Sequence, residues 1–166
     1  MDVVLRYFDY SFITNEYINW LNNPELTKYS EQRHLKHTFE SCKEYCEAFH
    51  NSTNFLFAII DSESNEHVGN INAYIDIYNG TADMGILVGK GNKGYGYIAW
   101  IKMIAFLFQE KNIRKITAGT MSENIPMLKI FEKSGMKYEY TKKDQFIYDG
   151  NSINLIGYCI FKEEYL

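Results

Sequence analysis

Apolar positions recur along the chain with two periods, and the switches between them mark the elements. Residues 3–7 (VVLRY) read as a short strand. Residues 11–22 carry Phe12, Ile13, Tyr17, Trp20 and Leu21 at roughly helical spacing and stop at Asn22-Asn23-Pro24. Residues 38–50 open on TFES, a capping-box spelling in which Ser41 stands where a Glu is usual; Phe39, Cys42, Cys46 and Phe49 then share one face. Residues 54–60 and 67–77 read as strands around the turn SESNE, and Asn79-Gly80 signals a hairpin into a third strand at 81–88. A strongly apolar helix over 95–110 and a strand over 114–120 follow. Asn124 caps the next helix, with Pro126 in its first turn, Lys133 near its end and Gly135 as its stop. Strands at 137–147 and 153–162, joined by Asp149-Gly150, close the chain.

The order β α α β β β α β α β β predicts an α+β (mixed α/β) fold. A central sheet of about seven strands is flanked by about four helices. No linker, repeat or low-complexity tract interrupts the 166 residues, so one domain over 1–166 is expected. The net charge of −4, without runs of like charge, excludes the footprint of a nucleic-acid binder and a polybasic membrane patch. No apolar stretch is long enough to span a membrane, and the N-terminus does not read as a signal peptide. Three cysteines, an odd number, fit reduced thiols and a cytoplasmic setting. Cys42 and Cys46 lie four apart on a helix, but no second pair follows, so they read as small core residues and no metal site is expected.

The segment most suggestive of chemistry is ILVGKGNKGYGYIAWIKMIAF, residues 86–106: a strand, a loop with Gly89, Gly91, Gly94 and Gly96, then a long helix. Such a loop presents backbone N–H groups beside a helix N-terminus, and Lys93 adds a cation, a combination suited to a phosphate or pyrophosphate. The spacing is neither that of a P-loop nor that of a dinucleotide-binding βαβ unit in its usual context.

With these residues in view, the chain resembles the GNAT N-acyltransferase superfamily. GNKGYG (91–96) is similar to the family's acyl-CoA loop, [QR]-x-x-G-x-[GA], with Gly91 in place of Gln or Arg. SENIPMLKIFEKSGM (122–136) resembles its second segment, matching at Asn124, Phe131, Glu132, Lys133 and Gly135. The resemblance implies a mostly antiparallel sheet in which the strands at 81–88 and 114–120 are parallel and splay apart. Acetyl-CoA would enter the gap, its pantetheine arm on the backbone of Leu87 and Val88, its pyrophosphate on Gly91, Asn92, Lys93, Gly94, Tyr95 and Gly96. A strand N–H would stabilise the oxyanion during direct attack by an amine. Asn124 would touch the pantetheine arm, or cap its helix, or both. Phe131 would line the cofactor site where many members carry the Tyr that protonates the leaving thiolate; Phe has no proton to give.

Asp83, on a strand where several members hold a base, and Glu31 are the candidate general bases; His34, His37, His50 and His67 rank below them. Residues 17–41 resemble a pattern in GNAT enzymes of surface-carbohydrate and nonulosonic-acid pathways. On that resemblance Tyr29, Glu31, Arg33, His34 and Tyr74 are candidate acceptor-binding residues, with Tyr78 as a further stacking aromatic. Arg33 suits a phosphate or carboxylate, and the alternative is that Tyr29 and Arg33 only pin the loop. The expected reaction is transfer of acetyl to a small-molecule amine, a nucleotide-linked amino sugar first. A protein N-terminal acetyltransferase of the ribosomal type is the alternative, and a non-catalytic CoA-binding module a second. The chain would act as a monomer or homodimer.

Overall fold

In the computed structural model, which describes residues 1–91 and 94–165, seven strands form one sheet. They are β1 (Val3–Tyr7), β2 (Phe55–Asp61), β3 (His67–Asp76), β4 (Thr81–Val88), β5 (Lys115–Met121), β6 (Lys137–Tyr148) and β7 (Asn151–Phe161). Their order is β1-β2-β3-β4-β5-β7-β6, and every adjacent pair is antiparallel except β4–β5, which is parallel. This is the mixed α+β sheet the pattern predicts. Six helices accompany it: α1 (Asn15–Asn22), α2 (Pro24–Thr27), α3 (Phe39–His50), α4 (Tyr95–Ala105), α5 (Ile125–Lys133) and α6 (Lys162–Tyr165). The two beyond the expected four, α2 and α6, are single turns of four residues, too short for hydrophobic periodicity to register. The helix expected to run to residue 110 is α-helical to Ala105 and ends in a π turn, Phe106–Glu110.

Local chemistry sets the boundaries. Thr38 and Ser41 exchange side-chain to backbone hydrogen bonds of 3.2 and 2.9 Å, so α3 opens on a complete capping box with serine in the glutamate's place. Asp149 and Gly150 have φ of 50° and 77° between the paired residues Tyr148 and Asn151, as a two-residue hairpin turn requires. The β3–β4 connection is longer than Asn79-Gly80 suggests. Asp76 pairs with Thr81, and the Asp76 carboxylate accepts from the backbone N–H of Tyr78 and Asn79, both at 3.0 Å. An aspartate-capped loop therefore replaces the two-residue turn.

Two apolar clusters sandwich the sheet. On one face α4, the π turn after it and α5 pack Trp100, Met103, Leu107 and Phe131 against Ile71, Met84, Ile116 and Ala118. On the other, α1 and α3 pack Tyr17, Trp20, Cys46 and Phe49 against Leu56, Ala58 and Ile60. Five consecutive residues of β2, Leu56–Ile60, are therefore buried. Among the described residues no helix is long and apolar enough to cross a membrane.

Candidate active site

Strand pairing between β4 and β5 lasts three rungs, Thr81↔Lys115, Ala82↔Ile116 and Asp83↔Thr117, and then stops. Beyond Asp83, β4 stays paired with β3 as far as Val88, and β5 stays paired with β7 as far as Met121. The two strands thus form a wedge that opens toward the loop after β4. Its facing edges carry backbone N–H and C=O groups of Met84–Val88 and Ala118–Met121, a place where an extended chain can bond like a strand. Leu87 and Val88 lie on that edge.

The loop ends at Gly94, which has φ of 81° and leads directly into α4. The first turn of α4 contains no acidic residue, which suits an anion at the helix terminus. Asn92 and Lys93 lie outside the described residues. The glycines of the loop divide their work. A Cβ on Gly89 would come within 2.0 Å of the Trp20 indole, so this glycine serves core packing; a Cβ on Gly96 would sit 3.2 Å from Ile130, so it lets α4 approach α5; Gly91 faces open space. Tyr95 is buried, and its hydroxyl bonds the Asp61 carboxylate, which leaves only its backbone for a ligand. Lys90 lies 3.2 Å from both Glu16 and Glu66. Lys133 sits over the Tyr97 ring at 4.2 Å, on the α5 side of the α4 N-terminus.

Asn124 caps α5, accepting from Met127 N–H at 3.4 Å and donating to Thr120 Oγ1 at 2.9 Å, so both ends of its amide have partners. Phe131 is 1% exposed, packed between the rings of Trp100 and Tyr158. The neighbouring Trp100 indole N–H is buried with no partner among the described residues. The nearby phenol of Tyr158 donates to Glu132 at 3.1 Å.

Asp83 occupies the last rung before the wedge opens, on the face away from α4. Its carboxylate accepts from Thr117 Oγ1 at 2.7 Å. The side chain is exposed on one side, but the surrounding strands partly desolvate it and push its pKa above the ordinary aspartate value, against the lowering effect of the Thr117 hydroxyl. Tyr74 stands opposite it on β3, its ring against Phe49 at 5.4 Å. Cys159 is next along the same rung, opposite Thr117. Burial and then the adjacent Glu139 carboxylate push the Cys159 thiol up to about 11, so it stays protonated at neutral pH and is a poor nucleophile. A carboxyl with a raised pKa and an inert thiol thus stand at the apex of the wedge.

The other candidates gather elsewhere. Glu31, Arg33 and His34 lie on a 3-10 turn, Glu31–His34. Glu31 pairs with Arg33 at 3.4 Å and His34 at 3.0 Å. The two terminal nitrogens of Arg33 donate to the carbonyls of Ser30 (2.9 Å) and Ile147 (3.1 Å), and its guanidinium covers the Tyr148 ring at 5.5 Å. Tyr29 packs on the same Tyr148. These residues tie the turn to the tip of the β6–β7 hairpin, and Arg33, His34 and Tyr148 border a cavity of about 350 Å³ beside α1 and α2. Tyr78 is 93% exposed in the β3–β4 loop. The remaining histidines are structural: His37 bonds Gln32 O, His50 bonds Phe8 O, and His67 sits in a cage of Phe8, Phe12, Tyr17 and Trp20. Cys42 and Cys46 are core residues, and no cluster among the described residues could hold a metal ion.

Sequence reasoning misses Thr117, Tyr140 and Gly157, which join Asp83 on the open face. The available signal is glycine inside strands, at Gly85, Gly119 and Gly157, because a strand glycine often marks a close approach. A Cβ on Gly157 would come within 2.2 Å of the Tyr140 ring.

A sequence profile of the acetyltransferase (GNAT) domain family matches residues 3–137. No curated protein sequence matches the chain. Many solved structures share the fold. A spermidine N-acetyltransferase from Vibrio cholerae, solved with CoA and spermine, superposes with a TM-score of 0.86 at 19% identity, covering 99% of this chain and 98% of the other. A GNAT-family acetyltransferase from Bacillus anthracis gives 0.82 at 22% identity, covering 98% and 96%.

Proposed function

Since the chain belongs to the GNAT acetyltransferase family, and is accordingly an acetyl-CoA-dependent N-acetyltransferase, we propose that Asp83 is its general base and that the acceptor is a small primary amine entering on the open face of the sheet. The observation that carries this reading is the position of Asp83 at the apex of the β4–β5 wedge, hydrogen-bonded on one side and open on the other. The wedge edge at Leu87 and Val88, the turn at Gly94 and the α4 N-terminus suit the pantetheine and pyrophosphate of acetyl-CoA. That substrate supplies the activated acetyl group. Asp83 takes one proton from the entering ammonium group, the freed amine attacks the thioester carbonyl to form the C–N bond, the C–S bond then breaks, and the second proton shed by nitrogen passes by way of solvent to the departing CoA thiolate. Phe131 contributes no proton to that last transfer.

A nucleotide carrier on the acceptor has little support here, because the terminal nitrogens of Arg33 are engaged by two backbone carbonyls. The acceptor site needs only to receive an ammonium group and relieve it of a proton.

The test is CoA-thiol release from acetyl-CoA with a polyamine, an amino sugar and N-terminal peptides as acceptors, each followed against pH. The base must be ionised, so the rate rises through an acidic limb lying above the ordinary carboxylate range. Asp83→Asn is expected to lower kcat/KM about 10²- to 10⁴-fold and to abolish that limb. A variant that keeps both rate and limb would remove Asp83 from the mechanism.

A further inference from the structure

The open face of the sheet carries one aromatic ring that the strand pattern alone does not put there. Tyr138 pairs with Tyr158 and Tyr140 with Gly157, so β6 advances two residues while β7 advances one. This bulge re-aims the β6 side chains. The Tyr140 ring then lies against its cross-strand partner: a Cβ on Gly157 would meet Cε1 at 2.2 Å and Cζ at 2.4 Å. Gly157 in turn faces Gly119 on β5. Gly157 leaves room for the ring, the Leu155 side chain lies 3.0 Å from where a Cβ on Gly119 would stand, and the Tyr140 phenol is directed over β7 on the face that carries Asp83. The charge on Asp83 is near enough to add to the effect of burial in raising the pKa of the Tyr140 phenol. Tyr140 remains 37% exposed, so part of its ring faces whatever approaches the carboxylate. On the far side stands Tyr74, 47% exposed and braced by Phe49.

We propose that Tyr140, seated on Gly157, is an acceptor-binding residue that forms the aromatic wall of an ammonium site whose opposite wall is Tyr74 and whose base is Asp83. An aromatic face attracts an ammonium group and its first methylenes, while the carboxylate sets the end that loses the proton. Gly157 is then a positioning residue: its missing side chain lets the ring lie against the strand. This assignment rests on the reading of Asp83 as the base.

The experiment measures KM for the amine and for acetyl-CoA in the wild type and in Tyr140→Ala, Tyr140→Phe, Gly157→Ala and Asp83→Asn. The amine is whichever of spermidine, glucosamine and benzylamine supports the fastest CoA release. Tyr140→Ala and Gly157→Ala are expected to raise the amine KM about 2- to 30-fold, the span of a cation–π contact. KM for acetyl-CoA stays unchanged, and Tyr140→Phe, which keeps the ring, raises the amine KM less than Tyr140→Ala does. Tyr140 is partly exposed, so its alanine variant carries the test even if Gly157→Ala folds poorly. An unmoved amine KM in Tyr140→Ala, or an equal rise for acetyl-CoA, overturns the assignment. If Asp83→Asn is nevertheless inactive, the base reading stands without it. If Asp83→Asn stays active while Tyr140→Ala weakens amine binding, the ring is a binding wall and the base lies elsewhere. No release with any of the three amines counts against both.

Discussion

The face of the sheet that carries Asp83 has two unlike halves. Over β1–β3 it is roofed by α1 and α3, and its side chains are Leu56, Ala58 and Ile60, all buried. Over β4, β5 and β7 the same face presents Asp83, Thr117, Gly119 and Cys159, exposed or half-exposed. Both halves are built of paired strands. What differs is whether a helix covers them, and each strand's composition records the answer. A continuous apolar run such as FLFAII needs cover on both faces, whereas a strand such as TADMGILV places a carboxylate where no roof exists. The roofed half holds the fold; in the reading proposed above, the open half holds the chemistry. Substitutions in the first should change stability, and those in the second should change rate.

The largest effect is expected at Trp20, on the roofed side. The indole is 7% exposed, packs on Tyr17 and His67, and rests on the bare α-carbon of Gly89. Trp20→Ala should cost about 3–5 kcal/mol of unfolding free energy. Gly89→Ala should cost roughly 1–3 kcal/mol, because a methyl group there collides with a rigid ring. The two are in contact, so they should not add: Gly89→Ala in the Trp20→Ala background should cost much less than alone. Denaturant titration of the four proteins measures this. An additive cycle would return Gly89 to the anion loop and blur the line between the two halves.

The same pair shows where the sequence was readable and where it was not. Signals that act within a few residues were legible: the Thr38 capping box, the Asn124 cap, the Asp149-Gly150 turn and the bounds of β4. The wedge came through resemblance, carried by short motifs; the acyl-CoA loop is a proposal on the same resemblance. Contacts between residues far apart in the chain were not legible. Nothing near Gly89 announces that Trp20 will lie on it, and nothing near Arg33 announces that Ile147 and Tyr148 will engage it. Asp76 turned an apparent two-residue hairpin into a longer loop because its carboxylate captured two backbone N–H groups. Single-turn helices such as α2 carry too few residues to show a period.

A smaller effect, of opposite sign, is expected at Asp83. The folded protein holds its carboxyl at a raised pKa, so it binds that proton more tightly than the unfolded chain does. Above the folded pKa the ionised group therefore detracts from stability, and the deficit fades as pH falls through that pKa. Asp83→Asn should leave the protein at least as stable as wild type at neutral pH while it loses activity, the trade expected of a functional group kept in an unfavourable setting. Thermal melts of the two proteins at neutral pH test this. A clear loss of stability in the variant would mean that the open half also carries the fold.

The finest test is at Thr117, which touches no substrate in this reading and acts through Asp83. Its hydroxyl donates to one carboxylate oxygen at 2.7 Å and so favours the charged form, opposing the desolvation that disfavours it. Thr117→Val keeps the shape of the side chain and removes the donor. The carboxyl pKa should then rise further, the acidic limb of the rate profile should move to higher pH, and the rate at neutral pH should fall a few-fold. Thr117→Ser restores the hydroxyl and should bring the limb back. The change lies on the open face, so stability should move by no more than about 0.5 kcal/mol. A structural role alone would lower the rate equally at every pH and leave the limb in place. A displaced limb in Thr117→Val, with its return in Thr117→Ser, is the result that ties this hydroxyl to the protonation of Asp83 and so to the chemistry of the open half.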